Sequence, residues 1–380
     1  MKTYDFIFAG AGIAGLSLAV QLAHSPLHDR SMLLIDKADK ERNDRTLCFW
    51  TDQPTPFDSI VFRSWDKLRF VGEEGAQQVN LKSYRYKMIR GIDFYQFARQ
   101  ELAVYPSVEF LHGTVDSITE GPDGAVVCAD GQMYAGKWVF DSRFTYRDFR
   151  PDPERYHSLQ QHFKGCLIET PVPAFSTDAA TYMDFSTPQK NEMRFLYVLP
   201  LSATQALIEC VLMSHDHYDQ VVKTYVESAL DIRDYRIVAE EGGINPLTDY
   251  PFPRRLSSHV MTIGTLGGRI KPTSGYAFLR IQSDSAAIVR SLQQVGHPFD
   301  IPRDSGLFRL LDSVMLHVMT CRGGQLKSIF TGLFQNNPIE RVFHLLDESA
   351  SLGEILQVMA SVPPLIFLQA LFQVAVKRWL

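Results

Sequence analysis

The sequence predicts an α/β fold: a Rossmann-like dinucleotide-binding domain with an inserted antiparallel β-sheet and a helical carboxy-terminal region. Three observations predict it. The first thirty-six residues hold strand, glycine turn, helix, strand and acid in that order; residues 160 to 245 hold long alternating apolar runs; and apolar residues beyond 300 recur at helical spacing.

In the amino-terminal unit, Tyr4 to Phe8 is a short apolar strand, Gly10-Ala11-Gly12-Ile13-Ala14-Gly15 is the turn, and a helix of small residues runs to about Leu22. Met32 to Ile35 is the second strand and ends on Asp36. Glycines let the backbone turn sharply and approach a pyrophosphate, the start of a helix offers unpaired amides, and an acid about 20 residues on grips a ribose hydroxyl. The candidate cofactor-binding residues here are therefore Gly10, Gly12, Ile13, Ala14, Gly15, Asp36 and the adjoining Lys37. An ordinary strand-turn-helix uses glycines too, but it does not require the second strand and its terminal acid.

A polar loop from Lys37 leads to Arg45-Thr46-Leu47-Cys48-Phe49-Trp50. Two readings stand for this block: Phe49 and Trp50 anchor the loop in the core, or Arg45 and the aromatics cover a flat ligand. Leu68 to Val71 and Gln77 to Leu81 read as a hairpin about Gly72-Glu73-Glu74-Gly75. Arg90, a candidate cofactor contact or a solvated arginine, precedes an amphipathic helix with Asp93 as its expected N-cap. Residues 108 to 141 read as short strands that return to the first sheet, and the charged stretch with Pro151 and Pro153 marks a boundary. The expected domains are 1–155, the first part of the dinucleotide-binding domain; 156–255, an antiparallel substrate sheet; 256–300, the return segment; and 301–380, the helical region.

Within the inserted sheet, Leu207, Glu209 and Val211 share a strand face, which sets an ionisable group among apolar neighbours. Burial there favours the protonated carboxyl. The alternative is an exposed strand glutamate. The return segment is a strand, Val260 to Ile263, and a glycine-rich loop that supplies Gly264, Gly268 and Gly275 as candidate cofactor contacts. Leu307, Leu310, Leu311, Val314 and Val318 lie on one helix face. The closing stretch Ile355 to Val376 lacks charge but contains Pro363-Pro364, so it reads as an interfacial helix capped by Lys377-Arg378-Trp379, or as a core helix, rather than a membrane span.

Composition narrows the function. A formal net charge of -5 leaves no electrostatic footprint for nucleic acid. Five scattered cysteines without a C-x-x-C spacing form neither a disulfide framework nor a zinc site. The expected compartment is the cytoplasm, with attachment to a membrane surface from that side. An amino-terminal dinucleotide unit joined to a late glycine-rich loop fits FAD better than NAD, because FAD spans such a domain and meets its return segment. Many flavin hydroxylases carry a Gly-Asp pair in that segment, whereas this chain has Gly264-Thr265.

Asp44 to Trp50, Leu199-Pro200-Leu201-Ser202 with Ala206-Leu207-Ile208-Glu209, and Lys271-Pro272-Thr273-Ser274-Gly275-Tyr276 together resemble the lycopene cyclase family of flavoproteins. The tail from Phe343-His344-Leu345-Leu346-Asp347 to Pro363-Pro364 is also similar to that family's. Leu47 departs from the aromatic expected in Arg-Thr-x-Cys-Phe-Trp, and Cys210 stands where a polar residue is frequent. The resemblance implies a flavin hydroxylase/glutathione reductase-like fold and a non-redox cyclisation of lycopene to β-ionone rings, with reduced FAD stabilising a carbocation and NAD(P)H as reductant. It makes Glu209 the acid-base group and Asp184 a second carboxylate. The alternatives are an FAD-dependent hydroxylase or reductase of an apolar isoprenoid, and a non-catalytic flavin- or carotenoid-binding protein.

Overall fold

The computed structural model describes residues 1–214 and 217–379. Strand β1 (Lys2–Ala9), helix α1 (Ile13–Ala23) and β2 (Met32–Asp36) form the amino-terminal unit. Next come β3 (Thr46–Thr51), β4 (Arg63–Trp65), β5 (Lys67–Gly72), β6 (Gly75–Asn80), β7 (Arg85–Arg90), α2 (Gly91–Ala103), β8 (Val108–His112), β9 (Val115–Gly121), β10 (Gly124–Ala129) and β11 (Gln132–Asp141). The middle of the chain forms β12 (Ser158–Glu169), β13 (Ala180–Asp184), β14 (Phe195–Pro200), β15 (Gln205–Leu212), α3 (Tyr218–Ser228), β16 (Arg236–Thr248) and β17 (Val260–Thr262). Helices α4 (Phe278–Val295), α5 (Gly306–Cys321), α6 (Leu326–Asn336), α7 (Ile339–Leu346), α8 (Leu352–Ala360) and α9 (Pro364–Trp379) follow.

The first sheet has the order β8-β2-β1-β11-β10-β9, with β17 beside β11. Its centre is parallel: β1 pairs with β2 and β11 in that sense, and β17 runs parallel to β11. Phe6 to Ala9 of β1 is wholly buried, as a strand covered on both faces requires. Helix α4 packs on α1, and Gln282 donates to Ser17 Oγ at 2.7 Å across that contact, so the return segment is fixed beside the dinucleotide turn.

The second sheet has the order β16-β12-β15-β14-β13-β5-β6. Here the structure differs from the expected domain division. The hairpin β5–β6, assigned by sequence to residues 1–155, joins the inserted sheet because β5 pairs parallel with β13. Strands β3, β7 and β4 form a small third sheet. Asp93 is not an N-cap either: Arg90 holds that place, and Asp93 in the first turn pairs with it.

Helices α5 to α9 cover one face of the second sheet, where Val314, Val318, Phe330, Phe334, Phe343 and Val374 share a core with Tyr182 and Phe195. On α5, Leu307 points outward and Phe308 is buried in its stead. Helices α8 and α9 meet at 119° across the prolines; no single helix among the described residues is long and apolar enough to cross a membrane. Ser351 and Glu354 cap α8 reciprocally.

One buried ion cluster fastens this helical cover to the return loop. Lys271 Nζ lies 2.8 Å from Asp312 Oδ1 on α5 and 2.9 Å from Glu348 Oε1 after α7, and Arg280 of α4 reaches the same Glu348 oxygen at 2.6 Å. Removing the cation leaves Asp312 buried and uncompensated, so Lys271→Met is expected to cost about 3–5 kcal/mol. Chemical denaturation checks this; a loss below about 1 kcal/mol contradicts it.

Candidate active site

The dinucleotide end is shaped by three glycines with different duties. Gly10 has φ +109°, in the region that favours glycine. A Cβ on Gly15 would run into the Gly10 carbonyl, so α1 sits directly on the turn. A Cβ on Gly12 would meet nothing within 4 Å, which leaves its backbone open to an approaching phosphate. The first amides of α1 have no intrahelical acceptor and carry the positive end of the helix dipole. Asp36 closes the unit: its carboxylate accepts from Ala11 N at 2.8 Å and Ala38 N at 2.9 Å.

From this turn a cavity of about 320 Å³ runs between the first and second sheets. Gly12, Ile13, Ala14, Arg45 and Gly264 line one part, and Tyr86, Tyr197, Leu199, Glu209, Val211 and Tyr276 line another. Gly264, at φ +59°, brings the return loop against Ala14, where a Cβ would meet the Ala14 Cβ at 2.8 Å. Gly275, at φ +81°, lies against Gln161, whose side chain donates to Ser274 O at 3.3 Å.

Three expected cofactor contacts lie elsewhere. Arg90 does not line the cavity: it is tied to Asp93 at 2.6 Å and lies 4.1 Å from the centre of the Phe62 ring. Lys37 is exposed, and Lys40 is the lysine paired with Asp36, at 3.5 Å. Gly268 lines a second cavity, of about 400 Å³, beside Phe252. Both readings of the Arg45–Trp50 block hold in part. Arg45 lines the cavity, whereas Phe49 and Trp50 are core residues, Trp50 stacking on Phe343 at 4.7 Å and donating to Asp347 Oδ2 at 2.7 Å.

Alternation on β15 turns Glu209 and Val211 toward the cavity while Cys210 packs with Cys166 and Tyr225 on the other face. Burial raises the Glu209 carboxyl well above the ordinary carboxylate range, and the charge of Glu241 raises it further. Three tyrosines stand nearby, with the Tyr276 hydroxyl 2.9 Å from that of Tyr86 and 3.4 Å from that of Tyr197. Asp184 is not the second carboxylate at this cavity. It is buried under α3, accepting from Tyr225 Oη at 2.7 Å and Ser186 N at 2.9 Å, so its lone pairs serve the local fold.

The carboxylate set beside Glu209 is Glu241, which sequence reasoning missed and which sits behind the cavity wall rather than on its lining. Glu209 and Glu241 pair from opposite sides with the same β12 residue, Gly165, so both occupy one row across β15, β12 and β16. Glu240 and Glu241 are adjacent acids on β16. The signal that separates them is the strand alternation: Glu240 turns outward to Lys164 at 3.0 Å, and Glu241 turns inward. Among the described residues, no group of three or more His, Cys, Asp or Glu could hold a metal ion.

The fold and the cavity define a two-sheet α/β protein with a glycine turn opening on a buried acid, and the fold is shared with solved flavoproteins. A flavoprotein/dehydrogenase from Cytophaga hutchinsonii is similar at a TM-score of 0.64 and 10% identity, covering 99% of each chain. A geranylgeranyl bacteriochlorophyll reductase-like protein from Thermoplasma acidophilum is similar at 0.62 and 12% identity, covering 98% of this chain and all of that one. A flavin-dependent brominase variant is similar at 0.60 and 15% identity, covering 97% and 98%. These likenesses establish the fold. Curated protein sequences give no match. The family model described as lycopene cyclase protein matches residues 5–372, so the chain belongs to the lycopene cyclase family.

The glycines separate fold from ligand. Gly15→Val is expected to prevent folding, since its Cβ meets backbone, whereas Gly12→Val, at an unstrained φ of -81°, keeps the fold and loses the dinucleotide. Bound cofactor per folded protein, with circular dichroism, checks both; a Gly12→Val protein with full cofactor contradicts the placement.

Proposed function

We propose that this chain is a lycopene β-cyclase, which isomerises the ends of linear lycopene to β-ionone rings without net electron transfer. The observation that carries the reading is a carboxyl, Glu209, set among apolar and tyrosine side chains in the same cavity as the open Gly12 turn, where burial favours its protonated form. FAD fits that turn, and when bound in its reduced form it supplies a fixed negative charge that favours a carbocation in a dry site.

The chain's own residues do the remaining work. Glu209 donates a proton from its carboxyl to the end-group alkene of the substrate, the ring closes on the resulting cation, and the Glu209 carboxylate so formed takes a proton from the carbon beside the ring cation, which restores a double bond and the acid. Leu199, Val211 and Phe163 line the cavity with apolar surface and exclude water that would trap the cation. The faces of Tyr86, Tyr197 and Tyr276 add electron-rich surface for the same charge. NAD(P)H is the proposed reductant of the flavin. Gly264-Thr265, in place of Gly-Asp, weighs against a hydroxylase. The exposed Leu352, Leu356, Leu365, Leu368 and Phe372 of α8 and α9 supply a face for docking on a bilayer surface, from which an apolar carotenoid is drawn. The side chains of Arg378 and Trp379, expected to cap this face, lie outside the described residues.

Expression in a lycopene-accumulating host tests the reading: the intact chain yields cyclic carotene, and Glu209→Gln keeps its fold and flavin while cyclisation falls at least ~100-fold. Unreduced product formation by that variant contradicts the role. The pH dependence has a fixed sign. The donor form of Glu209 is present below its raised titration and lost above it, so the rate falls as pH rises through that point. A rate rising with pH across that range contradicts a protonated Glu209.

A further inference from the structure

We propose that Glu241 is the positioning partner of Glu209: the two carboxyl groups, set in one row across Gly165, titrate as a coupled pair, and Glu241 keeps the proton on Glu209 between turnovers. The inference rests on the cyclase reading for its catalytic meaning, but its geometry stands on the sheet alone.

The register puts Glu209 and Glu241 in one row on strands that flank β12. Neighbouring strands lie about 4.8 Å apart, so the two backbones are roughly 10 Å apart, a gap that two glutamate side chains span if nothing stands between them. The intervening residue is Gly165, which has no side chain of its own to stand between them. A Cβ there would meet Glu241 Cγ at 2.9 Å and Leu207 Cδ1 at 3.1 Å, so Glu241 leans over the glycine from its side and Leu207 fills the rest of the space a side chain would take.

Glu241 is itself deeply buried, with 8% of its surface exposed. Its Oε2 accepts from Thr46 Oγ1 at 2.9 Å, while Oε1 is buried without a hydrogen-bond partner. A buried carboxylate oxygen left unpaired is costly, which sets the charge of Glu241 against a second charge on Glu209. The surrounding groups do not neutralise the pair. Arg45, the cation at that end, is held by Asp44 at 3.0 Å, and the other titratable groups facing the pair are Cys48, Tyr86, Tyr197 and Tyr276. Burial raises both carboxyls; the charge of Glu241 raises Glu209 further, whereas on Glu241 the hydrogen bond from Thr46 and the charge of Arg45 oppose burial and the charge of Asp44 adds to it. Thr46 belongs to β3 and follows Arg45 of the dinucleotide-facing end, so the strand that borders the cofactor also fixes the orientation of this carboxyl.

The test is an infrared titration of the carboxyl bands in the full chain, without substrate, using Glu209→Gln and Glu241→Gln to assign them. In the unmutated protein the two groups are expected to titrate in two steps separated by more than about one pH unit. Glu241→Gln lowers the Glu209 step by about one unit or more, and Glu209→Gln lowers the Glu241 step by the same amount, since coupling is reciprocal. The alkaline limb of the cyclisation rate moves down with the first of these shifts. Independent titrations, or a rate profile that stays in place while the bands move, overturn the proposal. Because the infrared arm needs no carotenoid, a failure of the cyclase reading leaves it intact, and a failure of the pair leaves Glu209 as a lone acid. If Glu241→Gln does not fold, the two-step titration and the Glu209→Gln arm still decide the matter.

Discussion

A carboxyl that must keep its proton inside an apolar cavity is the constraint on which the rest of the structure depends. Water would lower the cost of ionising Glu209, and each pKa unit corresponds to about 1.4 kcal/mol between the two protonation states. Burial is the larger cause of the raised titration and the charge of Glu241 the smaller. Both require the second sheet to be closed on both faces. Helix α3 closes one face over Cys166, Ile208 and Cys210, and α5 to α9 close the other. The Lys271 cluster then locks that helical cover to the loop that lines the cavity, so dryness and cofactor-end geometry are fixed by the same buried ions.

Under the proposed cyclase reading, the same constraint lets a redox-type fold serve a reaction with no net redox step. A dinucleotide turn, a return loop in left-handed glycine conformations and an acid across the cavity are compatible with several chemistries, and fold alone does not choose among them. The acid chooses. A retained proton at Glu209 suits protonation of an alkene, and the apolar and aromatic lining of Leu199, Val211 and Tyr276 suits the cation that follows.

Local pattern made the amino-terminal unit legible, because a glycine turn between a strand and a helix is contiguous and Gly10 to Asp36 folds as read. The strand phase of Leu207, Glu209 and Val211 was legible for the same reason: alternation is a property of neighbours in sequence. What depended on register between distant strands was not. Glu241 meets Glu209 only through Gly165, and Asp184 turns to α3 only because Tyr225 stands there. Lys37, adjoining the motif, is left to solvent, and Arg90, a candidate cofactor contact or a solvated arginine by sequence, is claimed by Asp93. The hairpin at 67–80 changed sheets because its partner, β13, arrives more than a hundred residues later.

The most direct measurement of the account is cyclisation of lycopene by the anaerobic, reduced protein in deuterated water, with product and reductant followed together. Each ring formed is predicted to carry one solvent deuterium delivered through Glu209, while the reduced flavin remains reduced. Rings without deuterium, or reductant consumed in proportion to product, would contradict a proton-driven isomerisation.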